Sequence, residues 1–281
     1  MKIISVMEAF HVETGARRVL FEREGRFEAP NWHPDGYLVY NMEGKLHTYH
    51  MDTGVHGMID TGSADHCNND HVLSPNGRFV AVSHSEETDW HSRIYILPTT
   101  GGEPYKVTPV GPSYLHGWSP DGRTLCYCAE RSGNYDVYTI PVNGGAETRL
   151  TDAEGLDDGP EYSPCGEYIW FNSVRTGLMQ AWRMKKDGSE QTQMTRHEDK
   201  NSWFPHVSPD GKKVVYIAYK KGDVAPGDHP ADKHVELRMM DAQGGSDRLL
   251  TTLFGGQGTI NVNSWSPDSR EFAFVSYRIE A

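Results

Sequence analysis

The stretch Trp118-Ser119-Pro120-Asp121-Gly122 is a tight-turn sequence that occurs in closely related form six times in the 281-residue chain. Proline presets φ, aspartate or asparagine hydrogen-bonds to the local backbone, and glycine accepts a positive φ. Each copy is therefore predicted to join two strands. The six copies are Trp32–Gly36, Leu73–Gly77, Trp118–Gly122, Tyr162–Gly166, Val207–Gly211 and Trp265–Ser269.

The spacing of these turns indicates one repeated unit. Successive turn prolines lie 41, 45, 44, 45 and 58 positions apart, so the last interval carries an insertion. An alternating apolar stretch follows each turn, as in Phe79–Val82. A third strand, a Gly-rich hairpin and a short fourth strand come next, as in Arg93–Leu97 followed by Gly101-Gly102. Four antiparallel strands per unit are typical of a propeller blade, and we predict an all-β, six-bladed β-propeller.

The final unit ends after its second strand and would leave an unpaired edge. At the start of the chain, Ser5–Gly15 and Arg17–Phe21 are predicted to form a strand, a hairpin and a strand, which are the two missing outer strands. We therefore predict that residues 1–281 form a single domain, with the sixth blade shared between 1–25 and 259–281. Pairing of the two chain ends would close the ring.

Composition limits the classes of partner. Lysine and arginine total 27 against 39 aspartates and glutamates, a net charge of -12, which argues against nucleic acid and anionic membranes as partners. No apolar run is long enough for a signal-peptide core or a membrane span. We expect a soluble, cytoplasmic protein whose four cysteines are reduced.

The turn, the strand after it and the Gly-Gly hairpin leading to Leu150-Thr151 resemble the propeller repeats of TolB-type proteins. The resemblance covers the whole chain. The chain is more similar to compact, propeller-only TolB-like proteins than to TolB itself, and this resemblance implies a fold and no settled activity. We do not expect the translocation role of TolB itself, which has an additional N-terminal domain. Oligogalacturonate lyases share a related propeller and hold a metal with channel histidines, but their ligands do not match this sequence motif by motif.

The segments that lead into the first strand of each unit are the candidate site, because the first strands line the channel of a propeller. Four positions before the turn proline, three units again have proline and the other three have a polar side chain. The prolines are Pro30, Pro160 and Pro205, and the polar residues are His71, His116 and Asn263.

Imidazoles and carboxylates in this ring could bind a divalent metal ion or act as general acid and base. Another interpretation is that they only hydrogen-bond between neighbouring blades. The catalytic candidates are His71, His116, Asp158 and Glu161, and the candidate metal ligands are His71, His116 and His206.

Further residues of the same segments and of the neighbouring loops are predicted to bind the ligand. Aromatic rings beside carboxylates and amides are typical walls for sugar rings, and arginines could hold a ligand carboxylate or phosphate. Alternatively, the arginines form ordinary salt bridges with nearby acids. The ligand-binding candidates are Asp70, Tyr114, Arg131, Asp157, Arg175, Trp203, Phe204, Asn261 and Arg278.

Together these features favour a protein that binds a small polar ligand, with a carbohydrate as the favoured class. Lyase or hydrolase chemistry, with or without a metal, is left open, as is the question whether the protein is an enzyme. The alternative is a non-catalytic scaffold with a protein partner. The insertion Lys220–His234 is predicted to be a loop on the same face and a lid over the site.

Overall fold

The computed structural model describes residues 2–280 and confirms the all-β, six-bladed propeller. Five sheets have four antiparallel strands, and the sixth has three. From the inner strand outwards, the first blade has β3 (Phe27–His33), β4 (Tyr37–Met42), β5 (Lys45–His50) and β6 (His56–Met58), the second has β7 (Cys67–Leu73), β8 (Phe79–Ser85), β9 (Ser92–Pro98) and β10 (Tyr105–Lys106), and the third has β11 (Ser113–Trp118), β12 (Thr124–Arg131), β13 (Asn134–Pro141) and β14 (Thr148–Arg149). The fourth blade has β15 (Asp157–Tyr162), β16 (Tyr168–Ser173), β17 (Gln180–Lys185) and β18 (Thr192–Gln193), and the fifth has β19 (Lys200–Val207), β20 (Lys213–Lys220), β21 (Lys233–Asp241) and β22 (Arg248–Gly255). The sixth blade has β23 (Glu271–Glu280), β1 (Lys2–His11) and β2 (Arg17–Glu24).

The repeated turn joins the inner strand of each blade to the second strand, as predicted. In the third blade, the Ser119 hydroxyl donates to Asp121 Oδ1 at 2.6 Å, and the Gly122 amide donates to the Ser119 carbonyl at 2.8 Å. Gly122 has a φ of 71°, which explains the glycine at this position. The indole of Trp118 donates to the Val72 carbonyl of the preceding blade at 3.0 Å, so the first residue of this turn also ties neighbouring blades together.

The two ends of the chain close the ring. Strand β1 pairs antiparallel with β23 over ten residue pairs, from Lys2 opposite Glu280 to His11 opposite Glu271. Inside this blade, the inner segment is irregular: a 3₁₀ turn covers Gln257–Thr259, and one isolated bridge links Trp265 to Phe272. The predicted pairing of the N-terminal strands with the C-terminal half-blade is confirmed. The inner segment of this blade is less regular than the inner strands of the other blades.

Bulges in the inner strands determine which side chains face the channel. The register with the second strand shifts between Asp158 and Glu161 in β15 and between Trp203 and His206 in β19. Gly159 and Phe204 have left-handed φ values of 60° and 56° there, each directly before a proline. A bulge bends the strand and re-aims the side chains around it. Pro160 and Pro205, which stand at equivalent positions of their repeats, therefore lie inside these two bulges.

Side chains from the second strand of one blade hold the bulge of the next blade. Asn172 of β16 donates from Nδ2 to the Ser202 carbonyl at 2.9 Å and accepts from the Phe204 amide at 2.9 Å. Asn172 is fully buried, so both hydrogen bonds form away from water. The backbone that positions Phe204 is therefore fixed by the neighbouring blade.

Candidate functional site

A cavity of about 550 Å³ opens on the face of the propeller where the inner strands begin. Five blades and the long β20–β21 loop contribute its lining, and we call this cavity the channel pocket. Six of the predicted site residues meet there: Asp70, Tyr114, His116, Asp158, Phe204 and Asn261. The other lining residues are Asn68, Cys128, Tyr135, Leu156, Ala225, Gly227, Asp228, His229 and Gln257.

A buried charged cluster lies in the wall of the channel pocket. His116 Nε2 is 3.3 Å from Asp158 Oδ1 and 4.0 Å from Asp70 Oδ1, and all three side chains are buried. Asn261 Nδ2 donates to Asp70 Oδ1 at 2.7 Å, and the Gly159 amide donates to Asp158 Oδ1 at 2.7 Å. One imidazole is thus held between two carboxylates from the neighbouring inner strands β7 and β15.

The electrostatics of this cluster favour a charged imidazole. Burial alone would lower the pKa of His116, but the Asp70 and Asp158 carboxylates outweigh it and raise the pKa. Burial likewise opposes ionisation of Asp158, yet the hydrogen bond and charge of His116 hold the pKa of Asp158 well below its usual range. Burial raises the pKa of Asp70, and His116 partly offsets that effect. The cluster therefore combines a proton donor with an ionised carboxylate.

The predicted lid loop lies against the channel pocket. Its Ala225, Gly227, Asp228 and His229 line the cavity, and His229 Nε2 is 3.8 Å from Asp158 Oδ2. The imidazole of His229 also meets the Trp203 ring edge-on, with 4.4 Å between ring centroids. Placement of the insertion on the channel face is as the sequence predicted, whereas a lid function stays a prediction.

The three histidines proposed as metal ligands do not form one ligand set. Both ring nitrogens of His206 are engaged at 2.6 Å, Nδ1 with Glu161 Oε2 and Nε2 with the Ile260 carbonyl. His71 is fully buried and absent from the pocket lining, and burial lowers its pKa to about 4. Only His116 reaches the channel pocket, and carboxylates bracket its ring. These residues therefore do not fit a shared divalent ion.

Glu161 lies on the other side of His116 from the channel pocket. Its carboxylate accepts from the Val207 amide at 3.1 Å and from Asn263 Nδ2 at 2.7 Å, in addition to its contact with His206. Together with His116 it lines a smaller cavity of about 140 Å³. Glu161 thus belongs to an inter-blade network that borders His116, and it does not line the channel pocket.

The predicted arginines are occupied by structural partners. Arg175 Nη2 donates to the buried Asp157 carboxylate at 2.7 Å, which is the salt-bridge alternative considered above. Arg131 donates to Glu147 Oε1 at 2.7 Å and to the carbonyl of Pro112 at 2.9 Å. None of the predicted arginines lines the channel pocket.

Two further ligand-binding candidates lie elsewhere. Arg278 is half exposed and pairs with Glu22 at 3.0 Å and with Glu280 at 3.1 Å. Trp203 is fully buried in the core of the fifth blade and is absent from the pocket lining. It supports His229 instead of forming a wall of the pocket.

Several lining residues were missed because they do not belong to the inner-strand segments. Cys128 pairs with Tyr114 in the β11–β12 register, and Tyr135 is the second residue of β13, after the next turn. The antiparallel pairing of the first two strands could have found Cys128, since it lies opposite the predicted site residue Tyr114. Burial raises the pKa of the Cys128 thiol well above its usual range, and that of Tyr114 to about 12. Both groups therefore enter the pocket as neutral groups.

A second cluster of potential metal ligands lies outside the channel pocket. Among residues 2–280, Asp65, His66 and His84 are the one group of three whose ligand atoms all lie within 4.8 Å of one another. The His66 amide donates to His84 Nδ1 at 3.1 Å, and Asp65 Oδ1 is 2.9 Å from His66 Nδ1. Asp65 is exposed and His66 is half-buried, and none of the three residues is among the predicted site residues.

Comparison with known proteins supports the family. An uncharacterized protein of Agrobacterium fabrum is 48% identical over 276 residues, covering 97% of this chain and 92% of that protein. The model of the TolB beta propeller domain matches residues 116–232. The chain belongs to the TolB-like β-propeller family. A solved TolB-like structure from Agrobacterium tumefaciens has a TM-score of 0.94 at 46% identity and covers 99% of both chains.

More distant relatives show the limits of this likeness. The Tol-Pal system protein TolB of Francisella tularensis is 25% identical over 256 residues, covering 89% of this TolB-like chain and 56% of that protein. The chain thus spans about half the length of that relative. An oligogalacturonate lyase in complex with manganese has a TM-score of 0.55 at 13% identity, covering 89% of this chain and 73% of that one, which shows a shared fold alone. No helix within residues 2–280 has the length and apolar character needed to cross a membrane.

Proposed function

We propose that the channel pocket binds a small polar ligand and that a carbohydrate is the class it fits. The observation that carries the proposal is the buried Asp70–His116–Asp158 cluster in the wall of a cavity of about 550 Å³. Buried charges are costly unless they are paired, and groups with perturbed pKa values in a cavity are a common mark of a functional site. Concave sites with a few convergent polar groups are also the usual form of small-ligand sites.

The walls of the channel pocket support the ligand class. Tyr114, Tyr135 and Phe204 provide aromatic surface, and the carboxylates and the amide of Asn261 provide hydrogen-bonding groups. Sugar rings present apolar faces and hydroxyl edges, which match rings and polar groups placed side by side. Four residues of the β20–β21 loop line the cavity, so this loop is placed to shield a bound ligand from water.

Turnover of that ligand is the finer part of the proposal. His116, whose pKa is raised by the Asp70 and Asp158 carboxylates, is suited to donate a proton to a leaving oxygen. Asp158, whose lowered pKa keeps it ionised, is suited to stabilise positive charge that develops on the ligand. These are the roles that lyase or hydrolase chemistry requires, and they need no metal ion held by the three histidines.

Titration calorimetry with a panel of neutral, amino and acidic monosaccharides tests the proposal. Replacing a wall residue, Tyr114→Ala, should weaken binding by about tenfold, because stacked aromatic surface is lost. The control Tyr105→Ala changes an exposed tyrosine of the outer strand β10 and should leave binding unchanged.

Two results would contradict the proposal. Absence of saturable binding across the whole panel would remove carbohydrate as the ligand and favour the scaffold alternative. Equal losses in Tyr114→Ala and Tyr105→Ala would place the binding outside the channel pocket.

A further inference from the structure

The charges that line the channel pocket are predominantly negative. Asp70, Asp158 and Asp228 contribute carboxylates, and His116 and His229 are the basic side chains. Even with both imidazoles protonated, the carboxylates outnumber the cations. No lysine or arginine is among the lining residues, and the nearby predicted cations are paired elsewhere. An anionic ligand would find no free partner in this pocket.

An unpaired acceptor indicates that the ligand carries a hydrogen-bond donor, which an ammonium group supplies. Asn261 is fully buried and donates its Nδ2 group to Asp70, which fixes the orientation of its amide. Its Oδ1 atom then has no hydrogen-bond partner among the described residues, although Asn261 lines the pocket. A buried acceptor without a donor costs free energy, so a ligand that supplies an N–H or O–H group would be favoured.

The aromatic lining adds a third contribution. Tyr114 and Tyr135 have their ring centroids 6.5 Å apart, and both border the pocket together with Phe204. Ring faces attract cations through their quadrupole, and the attraction grows when the cation is removed from water. Carboxylates and aromatic faces in one cavity are the combination that recognises an ammonium group.

We infer that the ligand of the channel pocket carries a positively charged amine, so that an amino sugar or a comparable organic ammonium is preferred over neutral and acidic analogues. This inference rests on the proposed binding function of the same pocket. A sugar acid, whose carboxylate unpaired arginines would have bound, is therefore excluded as the preferred ligand. Asp70, Asp158 and Asp228 are the groups that determine the selectivity.

Calorimetric titration with glucosamine, glucose and glucuronate at pH 7 tests the inference, since the three sugars share one ring size. Glucosamine should bind about ten to a hundred times more tightly than glucose, as hydrogen bonds to charged groups are worth more than neutral ones. Glucuronate should not bind detectably. Binding of glucose as tight as that of glucosamine would overturn the inference and leave the proposed carbohydrate function intact.

Charge variants distinguish the effect of the pocket carboxylates on ligand affinity from the effect of the net negative charge of the protein. Asp228→Asn, in the exposed loop, should reduce glucosamine affinity while retaining glucose affinity. Asp35→Asn removes the same charge from an aspartate whose side chain is 82% exposed, in the turn Trp32–Gly36, and should have no effect. Asp70→Asn should lower glucosamine affinity further, with circular dichroism confirming the fold. Equal affinities in all three variants would overturn the inference.

A pair of non-sugar probes keeps the test decisive if no sugar binds. Benzylamine should then bind in preference to benzyl alcohol, which supports the amine selectivity independently of the carbohydrate proposal. Equal binding of the two probes, or binding of neither, would overturn it.

Discussion

Removal of residues 1–25 should abolish cooperative folding, because β1 supplies an interior strand of the closing blade. Ile4, Val6, Met7 and Phe10 of β1 are each at least nine-tenths buried. At about 1.5–3 kcal/mol per buried large apolar side chain, these four contribute about 6–12 kcal/mol. That range is comparable to the whole unfolding free energy of a typical domain, about 5–15 kcal/mol.

Thermal unfolding followed by circular dichroism and calorimetry measures this effect. The fragment 26–281 should show no cooperative transition, and addition of a peptide of residues 1–25 should restore one, because the edge of β23 is again paired. Two point variants calibrate the scale. Phe10→Ala should cost about 3–5 kcal/mol, whereas Val19→Ala, 59% exposed on β2, should stay within about 0.5 kcal/mol.

Ring closure by β1 would be refuted by a fragment 26–281 that unfolds cooperatively within a few degrees of the 281-residue chain. It would also be refuted if the peptide of residues 1–25 failed to bind the fragment under conditions in which both are soluble.

His116→Gln should destabilise the protein by about 3–5 kcal/mol in urea unfolding near pH 6, because it leaves two buried carboxylates without their cation. Because the pKa of His116 is raised on folding, the free energy that its charge adds to folding is present below the ordinary value of 6.5 and is lost as the pH rises through the folded-state pKa. Because the pKa of Asp158 is lowered, its contribution is lost as the pH falls below 3.8. A destabilisation by His116→Gln that does not shrink at both pH extremes would contradict the ion pair. Arg175→Ala should lower stability by about 3–5 kcal/mol through the orphaned Asp157, with ligand affinity unchanged in calorimetry, and a selective loss of affinity would reinstate a ligand role for this arginine. His229→Ala should change the melting temperature by only a few degrees yet weaken ligand binding, with His50→Ala as the exposed control, and unaltered binding would remove the loop from the site.

The six repeats made the fold predictable from the amino-acid sequence. The turn at Trp118–Gly122 is specified by interactions between residues two to five positions apart, such as those of the Ser119 hydroxyl with Asp121 and with the Thr124 amide. Six copies of such a local signal, at nearly constant spacing, leave few topologies open. The strands missing from the last unit and present at the start of the chain then indicated how the ring closes.

Alignment of the repeats also located part of the site. His116 is one of the residues that replace proline in the repeat. Asp70, Asp158 and Phe204 belong to the equivalent segments of other blades, and all four residues line the channel pocket. This succeeded because equivalent positions in a repeat occupy equivalent places around the channel axis.

The roles of these residues depended on partners that are distant in sequence. His206 and Glu161 are 45 positions apart, and Asp70 and Asn261 are 191 positions apart, yet each pair is in hydrogen-bond contact. Nothing in the local pattern shows that Glu161 occupies a nitrogen of His206, and the pattern alone did not decide between a ligand and Asp157 as the partner of Arg175. The sequence by itself determined the blades, their order and the ring of polar positions, because these follow from short-range turn chemistry and strand alternation. Only the tertiary structure decided which imidazole stays available and which charges remain unpaired, because burial and ion pairing are set between blades.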